Sequence, residues 1–235
     1  ARKARALPGV KAVVTGDDLL PRREALAAGR KDAPRARAAE RRLADLTLDG
    51  NLDKPFWKDV PAYALKELVK GGAPAVGTRF QAAWADRALV FGIRCEEPDM
   101  PGLNAWATQR DDPNVFTDDT IELLLETAAR SYYQIAVNPA GFLVDVDRGE
   151  RIDTRWTSSG GAAAFRGDGF WSLEVRVPVA GPDAATIDPL NGVAGEKPTA
   201  ATPWHFNVCR QRIRDGKTQH SGFSPTGAPD FHVVL

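Results

Sequence analysis

Residues 77–96 read GTRFQAAWADRALVFGIRCE, two runs in which apolar and polar side chains alternate, joined at Asp86–Arg87. A period of two places successive side chains on opposite faces of an extended strand and excludes a helix. The same period returns in DTIELLLET, YYQIAVN, GFLVDVD, GAAAFRG, GFWSLEVRVPVA, PWHFNVCRQRI and the terminal FHVVL. Between these runs lie Asn138–Pro139–Ala140–Gly141, Gly160–Gly161 and Gly167–Asp168–Gly169, which are turn signals. Eight or nine short strands at this spacing predict an all-β chain, an antiparallel β-sandwich of two sheets in the immunoglobulin or jelly-roll manner.

Alternation also sorts the faces. Ile121, Leu123 and Leu125 share the core face, which leaves Glu122 on the other. Tyr133, Ile135 and Val137 turn inward, opposite Gln134, Ala136 and Asn138. Leu89, Phe91, Ile93 and Cys95 turn inward against Arg94, and Phe206 and Val208 against Asn207, Cys209 and Gln211. If these strands share one sheet, its outer face carries Arg94, Glu122, Gln134, Asn138, Asn207 and Gln211. Amides and charged groups around the small Ala136 suit the recognition of hydroxyl groups. A merely solvated sheet face fits the pattern as well.

The first 45 residues have a different grammar. Residues 17–46 are rich in Ala, Arg and Leu, with Ala38, Ala39, Leu43 and Leu46 near helical spacing. They predict a short helical or irregular arm over 1–45, outside the core of a sandwich over 46–235. The arm carries 12 Lys and Arg against 6 Asp and Glu, and the other 190 residues carry 19 against 25. A basic arm without aromatic groups to stack on bases, joined to an acidic body, argues against nucleic acid as a partner. No apolar run is long enough to span a membrane. The chain starts without an initiator Met or an apolar leader and reads as a piece of something longer. Cys95 and Cys209 are too few for a disulfide framework. They read as buried small hydrophobes, with one bridge between them as the alternative.

The order of these segments resembles the family 9 carbohydrate-binding modules. The matching pieces are LDGNLDKPFWKDVP, RFQAAWADRALVFGIRCEEP, NVFTDDTIELLLET, YYQIAVNPAGFLVDV, GFWSLEVRVPVA, PWHFNVCRQR and SGFSPTGAPDFHVVL, from about residue 46 to the end. The resemblance implies a non-catalytic sandwich that holds a polysaccharide or its chain end between aromatic rings. It also implies structural calcium, an upstream catalytic domain in the same polypeptide, and a secreted, periplasmic or cell-surface location. One clamp aromatic falls at Phe116, where family members often have Trp. Glu122 matches a sugar-contacting carboxylate, and Gln134 and Asn138 lie in the strand that supplies further polar contacts. The arginine of that strand aligns with Ala136. For the second clamp the C-terminal segment offers only Phe223 and Phe231.

Trp106 and Trp156, in polar loop-like segments, are spare aromatics for such a site, and Arg94 is a candidate polar contact. Trp57, Trp84, Trp171 and Trp204 adjoin strand patterns and read as packing residues. By residue type Asp49, Asp53, Asp118, Asp119, Asp145 and Asp147 are the candidates for calcium. Three other readings compete with sugar binding. Asp118, Asp119 and Glu122 would form an acid–base set, although Asp119 and Glu122 point to opposite faces of an extended segment. Met100 with His205, His220 or His232 would hold haem in an electron-transfer sandwich. The third is an interdomain sandwich with no ligand.

Overall fold

The computed structural model describes residues 12–14, 36, 38–127, 132–149, 152–179, 190, 197–199 and 201–232. It contains β1 (Ala12–Val14), β2 (Ala38–Arg41), β3 (Ala62–Ala64), β4 (Lys66–Glu67), β5 (Thr78–Ala85), β6 (Ala88–Glu96) and β7 (Thr120–Glu126). These are followed by β8 (Tyr133–Val137), β9 (Leu143–Asp147), β10 (Gly161–Gly167), β11 (Phe170–Pro178), β12 (Trp204–Arg214) and β13 (Lys217–Gly222). One sheet runs β4-β13-β12-β7-β8-β9, with β1 also paired to β12. The other runs β10-β11-β6-β5-β2, with β3 also paired to β5. The two-sheet sandwich predicted from alternation is present.

The sheets close on the inward faces that the period of two assigns. Phe80, Trp84, Leu89, Phe91 and Ile93 meet Ile121, Leu123, Leu125, Ile135, Phe206 and Val208 in one core. Trp84 meets Trp204 edge to face at 5.5 Å. Burying side chains of this size contributes about 1.5–3 kcal/mol each. Cys95 and Cys209 are buried free thiols. Cys95 is in this core, whereas Cys209 packs with Leu68, Leu124 and Phe231 on the opposite face of its sheet.

Two buried carboxylates tie the loops to this frame. Glu174, on the outer face of β11, accepts hydrogen bonds from the backbone N–H groups of Asp49 and Gly50, from Lys54 Nζ and from Trp57 Nε1, at 2.8–3.0 Å. That is why LDGNLDKPFW has its spacing: the turn, the lysine and the indole all meet one carboxylate. Gly50 is at φ 78°, and a Cβ there would lie 2.3 Å from the Ala164 carbonyl carbon, so only glycine fits. Glu97, just past β6, gathers three arginines from β12 and thereby clasps the two sheets at one end. Arg212 binds it through Nε and Nη2, both at 2.8 Å, Arg210 Nη2 donates to it at 3.2 Å, and Arg214 Nη2 lies 2.8 Å away.

The arm is corrected where it is described. Ala38–Arg41 form β2, parallel to β5, and Leu43–Asp45 form a 3₁₀ turn rather than a helical stripe. Ala36 and Ala38 belong to the main core, so the arm is not wholly outside it. The physical reason is tertiary. A nine-residue helix is marginal alone, whereas the extended form buries Ala38 and lets Arg41 donate to the carbonyls of Phe56 and Lys58. Residues 17–35, which carry the rest of the helical expectation, lie outside the described residues. Of the terminal FHVVL, Phe231 and His232 form a turn, and 233–235 lie outside the described residues.

Arg94 is a second correction. It lies on β6, in the six-stranded sheet, and so shares no face with Glu122. Alternation assigns a face within a strand, but not the sheet that the strand joins. The guanidinium sits 3.4 Å over the Phe170 ring and donates to Glu96 at 2.8 Å.

Candidate functional site

The outer face of the seven-stranded sheet is covered at both sides and open between them. On the β8–β9 side, Ala107 and Val115 pack down on Ala136, Val144 and Val146, with Phe116 half-buried against them. On the other side, Leu68 and Phe231 pack on Leu124 and Cys209. Between these covers is a cleft of about 280 Å³ lined by Phe116, Glu122, Gln134, Arg148, Gln211, His220, Pro229, Asp230, Phe231 and His232.

The walls are held in place by polar contacts. Gln211 Nε2 donates to the carbonyls of Phe116 and Asp118, both at 3.0 Å, which anchors the 3₁₀ turn Pro113–Thr117 to β12. On the far wall, Phe231 meets His220 edge to face at 4.9 Å, and Thr226 Oγ1 donates to the carbonyls of Ala228 and Asp230. His232 Nδ1 is 2.6 Å from the Tyr132 hydroxyl, and its Nε2 is 4.0 Å from Glu122 Oε2.

The floor is a chain of three polar groups. Arg148 Nη1 donates to Gln134 Oε1 at 2.9 Å, and Gln134 Nε2 donates to Glu122 Oε2 at 2.7 Å. The arginine settles the orientation of the amide, since only its oxygen can face a guanidinium. Burial pushes the Glu122 carboxyl up to about 7. The Gln134 hydrogen bond and the Arg148 charge act against that shift, and Asp230 adds to it. Burial and the Arg148 charge push His232 down to about 4.

Of the sequence candidates, Phe116, Glu122 and Gln134 come together in this cleft, with Gln211 and Phe231, whereas Asn138, Arg94, Trp106 and Trp156 do not line it. Asn138 is fully buried and spent: Nδ2 donates to the Ala107 carbonyl and Asp118, and Oδ1 accepts from the backbone of Ala140 and Phe142. Trp156 stacks on Tyr133 at 4.7 Å against the main core. Trp106 is 75% exposed in the loop above Asp118. Arg148, Asp230, Phe231 and His232 complete the cleft. For Arg148 the sequence held one signal, the missing arginine at Ala136. Arg148 enters from the end of β9, two strands from β7, which no spacing along the chain reveals.

The competing chemistries do not converge here. Asp118 is buried and accepts from the N–H groups of Trp106 and Ala107. Asp119 is buried and accepts from those of Asn104 and Ile213 and from Arg214. Both organise loops, and neither lines the cleft with Glu122. Met100 sits in the 3₁₀ turn Met100–Gly102, also away from it. For calcium, no group of three or more His, Cys, Asp or Glu among the described residues is placed to hold a cation. Asp49 accepts from Lys54 and Asn51, Asp145 Oδ2 from Arg110 and Ser158, and Asp147 from the Gly149 N–H, while the buried Asp145 Oδ1 has no hydrogen-bond partner.

No protein-family model matches the sequence, and no curated protein matches it either. Solved structures do match the fold. A family 9 carbohydrate-binding module from Caldicellulosiruptor kristjanssonii, in complex with glucose, superposes with TM-score 0.50 at 14% identity, covering 78% of this chain and 84% of that one. A complex with cellotriose of such a module from the same organism gives TM-score 0.50 at 13% identity, covering 78% and 82%. A provisionally assigned carbohydrate-binding protein from Bacteroides uniformis ATCC 8492 gives TM-score 0.56 at 16% identity, covering 84% and 93%. The chain therefore has the family 9-like β-sandwich fold. Among the described residues no helix is long and apolar enough to cross a membrane.

Proposed function

We propose that this chain is a carbohydrate-binding module that holds a saccharide in the Phe116–Phe231 cleft, without breaking bonds in it. The observation that carries the reading is the convergence of the half-buried Phe116 ring and a planar polar floor on one open face of a sheet. The apolar C–H face of a sugar ring matches a phenyl ring. Its hydroxyls need the donors and acceptors that Glu122, Gln134, Arg148, Gln211 and His220 present. Phe231 packs on Leu68, Leu124 and Cys209 and backs the far wall, and Phe223 is stacked on Phe206 in the core, so Phe116 is the ring offered to the sugar. The solved modules of this fold that were crystallised with glucose and cellotriose support the reading. In this account the module serves a larger, exported glycan-active protein, bringing it to its polysaccharide.

A glycan array probed with the purified chain tests this. The expected result is retention on at least one class of polysaccharide or oligosaccharide, lost on addition of the same sugar in solution. A folded chain that binds no glycan on a broad array would overturn it.

A further inference from the structure

The cleft holds one guanidinium, Arg148, that makes no direct ion pair with the carboxylates lining it. Arg148 spends one N–H on Gln134, and among the described residues no carboxylate lies within ion-pair distance of its guanidinium. The charged and titratable groups around it are Glu122 on β7, His220 on β13, and Asp230 and His232 on the C-terminal wall. At both Glu122 and His232 the Arg148 charge acts more strongly than the opposing Asp230 charge. Asp230 is also partly engaged, accepting the His232 N–H at 2.8 Å. Burial holds the Glu122 carboxyl near half-protonation at neutral pH, which further weakens the negative contribution of the floor.

We propose that the cleft selects acidic sugars, with the carboxylate of a uronic acid unit seated on the Arg148 guanidinium; this rests on the carbohydrate-binding reading above. A planar guanidinium with unused N–H groups is the preferred partner of a carboxylate, which it can bind through two parallel hydrogen bonds. A neutral sugar would leave that charge with hydroxyl partners only. Glu122, when protonated, has an O–H to donate to the same ligand, and Gln134 keeps Arg148 and Glu122 in register.

The test is calorimetric titration of the whole chain with digalacturonate and glucuronosyl-xylobiose, each beside its methyl ester, and with neutral cellotriose. The esters keep the shape and remove the charge. At least one acid should bind about tenfold or more tighter than its ester, as expected for a hydrogen bond to a charged partner. In Arg148→Gln the ratio should fall to near one, whereas Arg148→Lys should keep it above one. Esters that bind the folded wild-type chain as tightly as the acids would overturn the inference. If cellotriose binds while the acids gain nothing, the acidic-sugar inference fails and the carbohydrate reading stands. If no sugar binds, both fail.

Discussion

Glu97→Ala should cost about 3–5 kcal/mol, the cost of leaving buried charges unpaired. For a domain of this size that is a fall in melting temperature of roughly 6–20 °C. Glu97 is fully buried, and its two oxygens take Arg210, Arg212 and Arg214 from one strand of the opposite sheet. Removing it strands three guanidiniums, of which Arg214 keeps a buried carboxylate, Asp119, at 2.7 Å, and Arg210 keeps only neutral partners, the Thr78 hydroxyl and the Gly77 and Glu96 carbonyls. The comparison is Asp99→Ala. Asp99 is 53% exposed, 3.4 Å from Arg214, and should cost less than about 1 kcal/mol because solvent screens such pairs. Denaturant unfolding of the two variants beside the wild type decides it. Equal small losses would show that the clasp does not hold the sheets together.

Glu122→Gln should have the opposite sign above neutrality. The carboxyl titrates near 4.5 in the unfolded chain and near 7 in the folded one, because burial disfavours its charge. Between those values the native state holds a proton that the unfolded state has lost, so wild-type stability falls as pH rises through this window. His232, pushed down to about 4, has the reverse effect between about pH 4 and 6.5. It is present in both proteins, so it cancels when the two are compared. Glutamine keeps the acceptor for Gln134 and never ionises. The variant should match the wild type near pH 4.5 and exceed it by ~3 kcal/mol at pH 8. Melting curves across that range check the sign, and a variant less stable than wild type at pH 8 would contradict it.

The strands that bury one face were legible because burial imposes alternation on them. Ile121, Leu123 and Leu125, or Phe206 and Val208, announce their face from the sequence alone. β13 was not, because Lys217–Gly222 is a polar edge strand whose register comes from pairing with β12 and from the turn at Asp215 and Gly216, both at positive φ. β2 was hidden for a different reason: its alanines favour a helix locally, and only the neighbouring β5 makes the extended form better. The site divides the same way. Glu122 pairs with Ala136 and Gln134 with Leu124 across β7 and β8, so the two are diagonal neighbours two residues out of register on one face, and strand parity finds them. Arg148 and the wall from Pro229 to His232 arrive through tertiary packing, which parity does not encode. Asn138 shows the limit from the other side: a polar residue next to the site strand can be wholly occupied with holding a turn.

The central claim is that Phe116 faces a sugar, and calorimetric titration of Phe116→Ala beside the wild type tests it most directly, with the best ligand from the array. Phe116 is half-buried, so the truncation should cost clearly less stability than the ~3–5 kcal/mol of a fully buried phenylalanine. Affinity should fall by about 1–3 kcal/mol, the range seen when an aromatic platform is removed from under a flat ligand. That loss is roughly five- to 150-fold in Kd, in a protein whose melting curve stays cooperative. A folded Phe116→Ala variant that binds the same sugar with unchanged affinity would contradict the account.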